Sequence, residues 1–118
     1  MTIEGTNLVD AAPVFAALGD PTRLRLVAQL CAAGPLSIVR LTDGAHVTRQ
    51  AVTKHLHLLA RAGLVRSSRD GRERIWEIEP RRIADVGDYL ERISSEWDAV
   101  VDRLRVVVED QATGNRSV

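Results

Sequence analysis

The chain has 118 residues, of which 45% are hydrophobic and 27% are charged, which is the composition and length of one globular domain. No apolar run approaches the roughly 20 residues that a membrane span requires. The N-terminus lacks a signal-peptide pattern, and the single cysteine excludes an intrachain disulfide framework. These features predict a cytoplasmic protein.

The net charge is zero, but the charges are distributed unevenly along the chain. Residues 48–82 contain nine Lys and Arg against four acidic residues, whereas residues 83–110 contain three basic residues against eight acidic ones. This polarisation predicts a basic surface that meets a polyanion such as nucleic acid, and a separate acidic element that does not.

The first part of the chain predicts short helices. Residues 1–9 carry no pattern and are expected to be flexible. A helix is predicted from Asp10 to Leu18, and an N-capping Asp20 followed by proline begins the next helix, which ends at Ala33. A brief helix from Ile38 to Thr42 follows, and Asp-Gly then predicts a turn.

The stretch from Thr48 to Gly63 predicts the helix on which the function depends. Thr48 is a suitable N-cap, and Gly63 suits the left-handed position just after the helix. Val52, Leu56 and Leu59 recur at spacings of four and three, so they share one apolar face. The opposite face carries side chains that bond to phosphates and base edges. These residues are Arg49, Gln50, Thr53, Lys54, His57 and Arg61.

After Gly63 the hydrophobic period changes to two, which predicts a β-hairpin. The strands are expected at Leu64–Ser68 and Arg74–Ile78, joined by a turn over residues 69–72 that contains Asp-Gly. Arg69, Arg72 and Arg74 lie at the hairpin tip. Two short helices followed by such a hairpin predict a mainly α fold with a β-hairpin wing, a winged helix-turn-helix in the order α-α-α-α-β-β-α.

Pro80 begins a long helix that is predicted to end near Glu109 and that carries an apolar stripe from Ile83 to Val108. Only one face of it can pack on so small a domain, so the helix predicts a homodimer formed through the terminal helices. The domain is expected to span residues 10–110, with a flexible tail at 111–118. The predicted interface residues are Val14, Phe15, Leu18, Leu90, Ile93, Trp97, Val101, Leu104 and Val108.

Three motifs resemble the ArsR/SmtB family of bacterial repressors. Residues 19–25 (GDPTRLR) resemble its GDPTRLRI signature, and residues 47–56 resemble its recognition helix. Residues 62–65 (AGLV) and 70–72 (DGR) are similar to the junction that leads into its wing. The resemblance implies a homodimeric winged helix that represses transcription and dissociates from DNA when an inducer binds.

In such a dimer the two recognition helices would bind a pseudo-palindromic operator in double-stranded DNA. The residues of the helix and the wing are then predicted to divide into those that read bases and those that bind the backbone. Gln50 can bond an adenine edge and Arg49 a guanine edge, while Thr53 can meet a thymine methyl group or a phosphate. The other predicted contacts are to the backbone or the minor groove. The full predicted DNA-binding set is Thr48, Arg49, Gln50, Thr53, Lys54, His57, Arg69, Arg72 and Arg74.

The sequence does not identify the inducer that would release the protein from DNA. Metal-sensing members of the family typically carry Cys-x-Cys in the stretch that corresponds to residues 36–41, or histidines on the last helix, and this chain has neither. We therefore expect no metal or other cofactor and regard a small-molecule effector as one candidate signal, with a metal-responsive repressor that uses an atypical site as an alternative. Cys31 is expected to be a small buried apolar residue, or else a redox or metal group shared across a dimer. His55 is expected to be a hydrogen-bonded packing residue.

Two further classes of function are weighed against DNA binding. Catalysis is not expected, because no Ser/His/Asp arrangement, Gly-rich phosphate loop or HExxH motif occurs. A protein-interaction module that uses the winged helix only as a scaffold is the second alternative, and the arginines of the helix and wing argue against it.

Overall fold

The computed structural model describes the backbone of residues 10–116 and the side chains of residues 10–111. The N-terminal segment that was expected to be flexible, residues 1–9, lies outside this range. Within it the chain forms five helices and three strands, in the predicted mainly helical fold with a β wing. In chain order these are α1 (Ala12–Leu18), α2 (Pro21–Ala33), β1 (Leu36–Ser37), α3 (Ile38–Thr42), α4 (Arg49–Arg61), β2 (Val65–Asp70), β3 (Glu73–Ile78) and α5 (Pro80–Arg116).

The short strand β1 was not predicted. It pairs antiparallel with β3, Leu36 opposite Trp76 and Ser37 opposite Ile75, and gives a three-stranded sheet in the order β1-β3-β2. Two residues are too few to show an alternating pattern, so the sequence carries no periodic signal for this strand. The element order is therefore α-α-β-α-α-β-β-α.

The hairpin turn is tighter than predicted. Asp70 pairs with Glu73 in the β2–β3 ladder, so only Gly71 and Arg72 lie between the strands. Gly71 has a φ of +65°, and no described residue other than glycine has a positive φ. A positive φ at the first central position alone is the pattern of a type II′ turn, which favours glycine there.

Helix α5 continues to Arg116, so its predicted end near Glu109 is wrong. Residues 111–116 contain no proline, and Gln111 and Ala112 are good helix formers, so nothing interrupts the backbone hydrogen bonding at Glu109. Among the helices of residues 10–116, none combines the length and apolarity that a membrane crossing requires.

The chain divides into two compact units at the bond between Val86 and Gly87. The unit that ends at Val86 holds the helix-turn-helix, the sheet and the buried core, while the described part of the other unit is the remainder of α5. A single domain over residues 10–110 stays a prediction. The core of the first unit includes Val14, Leu26, Leu30, Leu41, Val52, Leu56, Leu59, Leu64, Val65 and Trp76.

Candidate nucleic-acid interface

Helix α4 is fixed to the core by one face. Val52, Leu56 and Leu59 are fully buried, as their spacing predicts. Burial of side chains of this size contributes about 1.5–3 kcal/mol each relative to leaving them exposed. Their burial fixes the rotation of α4 about its own axis, so the opposite face is held toward solvent.

Both ends of α4 are capped. The Thr48 hydroxyl accepts a hydrogen bond of 3.1 Å from the amide of Ala51, the N-cap arrangement that the sequence predicts. At the other end Gly63 has a φ of +79°, and the amide of Leu64 donates to the carbonyl of Leu59 at 3.0 Å. This is a Schellman motif, which uses carbonyls that the end of a helix would otherwise leave unpaired.

Arg82 supports the same C-terminal end from the first turn of α5. Its Nε donates to the carbonyl of Ala62 at 3.3 Å, and its Nη1 lies 3.4 Å from Asp85. Its side chain also covers Gly63, where an added Cβ would lie 3.7 Å from Arg82 Cγ. A cation at the C-terminal end of a helix is favourable because the free carbonyls carry partial negative charge.

His55 ties the middle of α4 to the corner between α1 and α2. Arg23 Nη1 lies 3.2 Å from His55 Nδ1, and Arg23 Nε donates to the carbonyl of Ala17 at 2.6 Å. Because a guanidinium only donates, Nδ1 accepts in this contact. Asp20 lies 3.8 Å from the same nitrogen, and the hydrogen bond from the Arg23 amide is the main cause that holds the pKa of the Asp20 carboxyl below its ordinary value. The predicted packing role of His55 is confirmed.

The solvent face of α4 presents polar and cationic groups. Thr53 is half-exposed, and its hydroxyl donates to the carbonyl of Arg49 at 2.9 Å, which leaves its methyl group and an acceptor lone pair available. Cationic side chains can donate to phosphates, while a methyl group and an acceptor can contact a thymine methyl and a base-edge donor in a major groove. The exposed members of the predicted set on this helix and its cap are Thr48, Arg49, Gln50, Lys54 and His57.

The β2–β3 hairpin, which we call the wing, has one cationic and one acidic face at its tip. Arg69 and Arg74 are directly opposite each other in the ladder, on the same face as the buried Trp76. Asp70 and Glu73 form the next opposite pair and therefore lie on the other face. The cationic face of the tip thus continues the side of the sheet that packs on the helix-turn-helix.

Two arginines of the wing already have partners within the chain. Arg66 donates to Glu77 and to Glu79 at 2.9 Å each, and the hydrogen bond with Glu77 is the main cause that raises its pKa. Arg74 Nη1 donates to the hydroxyl of Ser67 at 2.8 Å, which is neutral, so the Arg74 charge is not compensated there. Arg66 is therefore a structural cation, and the tip cations Arg69, Arg72 and Arg74 are exposed.

His57 joins the helix to the wing. Its ring meets the ring of Trp76 edge to face, with centroids 5.5 Å apart and an interplanar angle of 84°, a favourable geometry for aromatic pairs. His57 itself is exposed while Trp76 is 2% exposed. The polar face of α4 and the cationic face of the wing are thus parts of one surface. Sequence reasoning missed this contact because the two residues are 19 positions apart and follow no common period.

Comparisons with known proteins agree on the kind of protein that carries this surface. A helix-turn-helix domain family model matches residues 18–68. The probable mercury resistance operon repressor of Streptomyces lividans is 33% identical over 77% of this chain and 72% of its own length. The structure of an ArsR-like transcriptional regulator from Rhodococcus sp. RHA1 is 35% identical, covers 84% of this chain and 92% of that one, and has a TM-score of 0.68. A homodimeric winged helix-turn-helix DNA-binding domain from Mycobacterium bovis is 21% identical over 81% of this chain and 88% of that one, with a TM-score of 0.62.

This chain belongs to the ArsR family. Its fold is the winged helix-turn-helix, and it is a DNA-binding transcriptional regulator.

The second unit of this ArsR-family regulator carries an exposed apolar stripe. Trp97 is 64% exposed, Leu104 58% and Leu90 52%. Ile93 and Val108 are also exposed, and Val101 is half-buried. The α5 residues of the predicted dimer interface are thus accessible to a partner, or partly so.

Val14 is the exception among the predicted interface residues. Its side chain is fully buried in the core of the first unit, so it cannot offer that side chain to a second copy. On the short helix α1 the inward position falls at Val14, while Phe15 and Leu18 are half-buried. Its assignment to the interface is therefore wrong.

The expected burial of Cys31 is also wrong, whereas its alternative role as a redox or metal group shared across a dimer stays a prediction. The cysteine is exposed although it follows the buried Val27 by four residues, because it lies in the last turn of α2, where the neighbouring Ala32 and Ala33 are exposed as well. Among residues 10–111, no group of three or more His, Cys, Asp and Glu side chains is arranged to hold a metal ion.

Proposed function

We propose that this regulator is a homodimeric repressor that acts in the cytoplasm on a two-fold symmetric operator and leaves it when a signal binds. The observation that carries the proposal is the single surface on which α4 and the cationic face of the wing meet at His57 and Trp76. Such a surface suits a helix in the major groove with a hairpin on the neighbouring backbone or minor groove. The relative from Streptomyces lividans, which is named a repressor, supports the direction of regulation.

The N-terminal half of α4 is proposed to read bases. Gln50 can bond bidentately to adenine and Arg49 to guanine, because their donors and acceptors match those edges. Thr53 has a free methyl group for thymine. Lys54 and His57 lie further along the helix and are proposed to hold phosphates. The Thr48 hydroxyl accepts the capping bond, which leaves its O–H free to donate to a phosphate.

Replacement of Gln50 by alanine is expected to change which sequences are bound, at a cost of roughly 1–3 kcal/mol at one base position. Lys54→Ala is the matched control, since removal of a phosphate-binding cation should weaken all sequences alike. The measurement is the affinity for a panel of single-base variants of an operator selected from random DNA. An identical sequence preference in wild type and Gln50→Ala would remove Gln50 from the reading surface.

The wing is proposed to bind the DNA backbone through its cationic face. Arg69 and Arg74 face each other directly, and like charges at opposite positions of a ladder repel. A phosphate placed between or beside them would relieve that repulsion. The acidic pair on the other face, Asp70 and Glu73, would then lie away from the polyanion.

Replacement of Arg69 by alanine is therefore expected to act in opposite directions on stability and binding. The free energy of unfolding should rise or stay unchanged, because one like-charge pair is removed. Affinity for all DNA sequences should fall, and the slope of log K against log salt should become shallower by about 0.9 for each phosphate that the variant no longer neutralises. Arg72→Ala should weaken DNA binding in the same way.

Arg66→Ala is the control for the wing, because Arg66 is paired with Glu77 and Glu79 on the other face. Its loss should leave the salt slope at the wild-type value. An Arg66→Ala variant that loses as much slope as Arg69→Ala would contradict the assignment of the two faces.

The dimer is proposed to form through Phe15, Leu18 and the exposed stripe of α5. The homodimeric domain from Mycobacterium bovis supports dimerisation as a property of this fold. Two copies related by a two-fold axis would present two α4 helices to half-sites about one helical turn apart. The protein is proposed to act by binding alone, without a catalytic step.

We propose that the releasing signal is not a metal ion, although the relative from Streptomyces lividans is named for mercury resistance. Operator binding is expected to be equal in zinc, in mercuric ion and in chelator. The measurement is operator affinity under each condition for wild type and Cys31→Ser. Release at micromolar metal that Cys31→Ser abolishes would contradict the proposal and assign the exposed thiol to the signal.

A further inference from the structure

A groove lies between helix α1 and the C-terminal half of helix α4, and we call it the α1–α4 groove. Its volume is about 350 Å³, which is within the usual range for sites that bind small molecules. All of its lining residues belong to the first unit. Apolar side chains form most of the walls, and two arginines complete them. The lining includes Pro13, Ala16, Ala17, Arg23, Leu58 and Arg61.

We propose that the α1–α4 groove binds a small organic acid, a carboxylate on a compact apolar body, and that this acid is the signal that releases the regulator from DNA. The apolar body would contact Leu58 and α1, and the carboxylate would pair with Arg61. The inference rests on the proposed repressor function and names the chemical class of its signal.

Leu58 gives the groove an apolar surface that the fold leaves uncovered. Its side chain is 43% exposed, whereas the next residue of the helix, Leu59, is fully buried. Pro13 and Ala16, on the α1 side of the groove, are exposed as well. A ligand with an apolar body would remove these surfaces from water, which favours its binding. A small polar anion would gain nothing from them.

Arg61 gives the groove a cation without an acidic partner. No ion pair to its side chain occurs among residues 10–111. Its neighbours on the preceding turn of α4 are His57 and Leu58, and neither is acidic. A guanidinium binds a carboxylate through two parallel N–H donors, an arrangement that is both strong and specific. The charge of Arg61 is therefore complementary to an organic acid in the groove.

Arg23 holds the two walls of the groove together. Its Nε donates to the carbonyl of Ala17 in α1 at 2.6 Å, and its Nη1 lies 3.2 Å from Nδ1 of His55 in α4. The groove is thus formed before any ligand arrives, and a preformed site loses less conformational freedom on binding. The carboxylate of Asp20 is close enough to Arg23 to offset part of its charge, so Arg61 remains the cation for the ligand.

The proposed dimer leaves the α1–α4 groove accessible. Successive residues of a helix are about 100° apart around its axis, so Pro13, Ala16 and Ala17 share one face of α1. Phe15 and Leu18, which are proposed to meet a second copy, lie on the opposite face. The ligand and the partner subunit would therefore not compete for α1.

The position of Arg61 predicts that the acid weakens DNA binding. Arg61 follows His57 by four residues, or about 6 Å along α4, and the two residues line a shallow depression together with Lys54. Lys54 and His57 are the proposed phosphate contacts. A carboxylate on Arg61 would thus lie within about one Debye length of the DNA phosphates, roughly 8 Å at physiological ionic strength. It would cancel the charge of Arg61 and so lower the attraction for DNA.

Titration of the full-length protein with benzoate, followed by NMR of the backbone amides, tests the site without DNA. Benzoate should shift the amides of Ala16 and Leu58, and neutral benzamide of the same shape should bind about tenfold more weakly. Arg61→Ala should lower the affinity for benzoate by a similar factor. Arg40→Ala is the matched control, because Arg40 is an exposed arginine outside the groove, and it should bind benzoate as the wild type does.

Two results of this titration would overturn the proposed site. One is the absence of binding at millimolar benzoate. The other is an affinity that is unchanged by the loss of charge, whether in benzamide or in Arg61→Ala.

Operator affinity in the presence of benzoate tests the role of the groove as the site of the signal. Saturating benzoate should weaken operator binding by about tenfold, within the usual range for coupling between two ligands, while acetate at the same concentration, which lacks the apolar body, should have little effect. Ala16→Phe, which fills the groove with a ring, should bind the operator as tightly as the wild type and ignore benzoate.

The outcomes separate this inference from the proposed function. Release of Ala16→Phe by benzoate would place the acid elsewhere and overturn the groove as its site. A wild-type protein that binds its operator equally well with and without benzoate would refute the acid as the signal and leave the repressor intact. A wild-type protein that binds no operator in the absence of benzoate would refute the proposed function itself.

Discussion

Replacement of Trp76 by alanine is expected to lower the free energy of unfolding by about 3–5 kcal/mol, the range for removal of a large aromatic side chain from a core. Trp76 is 2% exposed. It pairs with Leu36 of β1 and Ser67 of β2, and its ring is in contact with His57 of α4. Its loss therefore leaves a cavity where the sheet meets the recognition helix, and DNA affinity should fall together with stability.

Urea unfolding followed by circular dichroism at one fixed protein concentration measures this effect, since the stability of a dimer depends on concentration. Ser68→Ala is the control, because Ser68 is exposed on the opposite face of the adjacent strand. A loss below about 0.5 kcal/mol for Trp76→Ala, within the usual range for surface substitutions, would show that the indole does not join the sheet to the helix.

Replacement of Leu104 by aspartate is expected to convert the regulator into a folded monomer with little operator affinity. The side chain is 58% exposed in the single chain, so the change should leave the first unit intact. It would, however, place two charges inside the proposed interface. Loss of the second half-site should cost about a hundredfold or more in affinity, the order by which joining two binding modules raises it.

Val106→Asp is the matched control for Leu104→Asp. Val106 is 56% exposed on the same helix, but two residues on, and so about 200° around the axis from Leu104. Sedimentation should find Val106→Asp dimeric and Leu104→Asp monomeric. A monomeric Leu104→Asp protein that binds the full operator as tightly as wild type would refute the link between dimerisation and DNA binding.

The elements with strong local signals were predictable from the sequence. Helix α2 begins after its Asp20 cap and ends at Ala33, and α4 is bounded by Thr48 and Gly63, because caps and glycines act within a few residues of the chain. The buried face of α4 could be predicted from the helical spacing of its apolar residues alone.

The unpredicted features depend on contacts between distant segments. Arg23 and Arg82 support α4, Arg66 is neutralised by acidic residues of the wing, and His57 is in ring contact with Trp76. Each of these contacts joins residues that share no helical or strand period in the sequence. Arg23 lies inside the GDPTR motif, which could have marked it as important without giving its partner. Cys31 was misplaced because an apolar helix suggested burial, whereas its position in the last turn of α2 leaves it exposed.

Selection of DNA from a random pool by the wild-type protein tests most directly the claim that a dimer reads DNA with two α4 helices. The selected sequences are expected to contain an inverted repeat whose half-sites lie about one helical turn apart, and Leu104→Asp should enrich no such repeat. Enrichment of a single unsymmetrical half-site by the wild type, or of no sequence at all, would contradict the account.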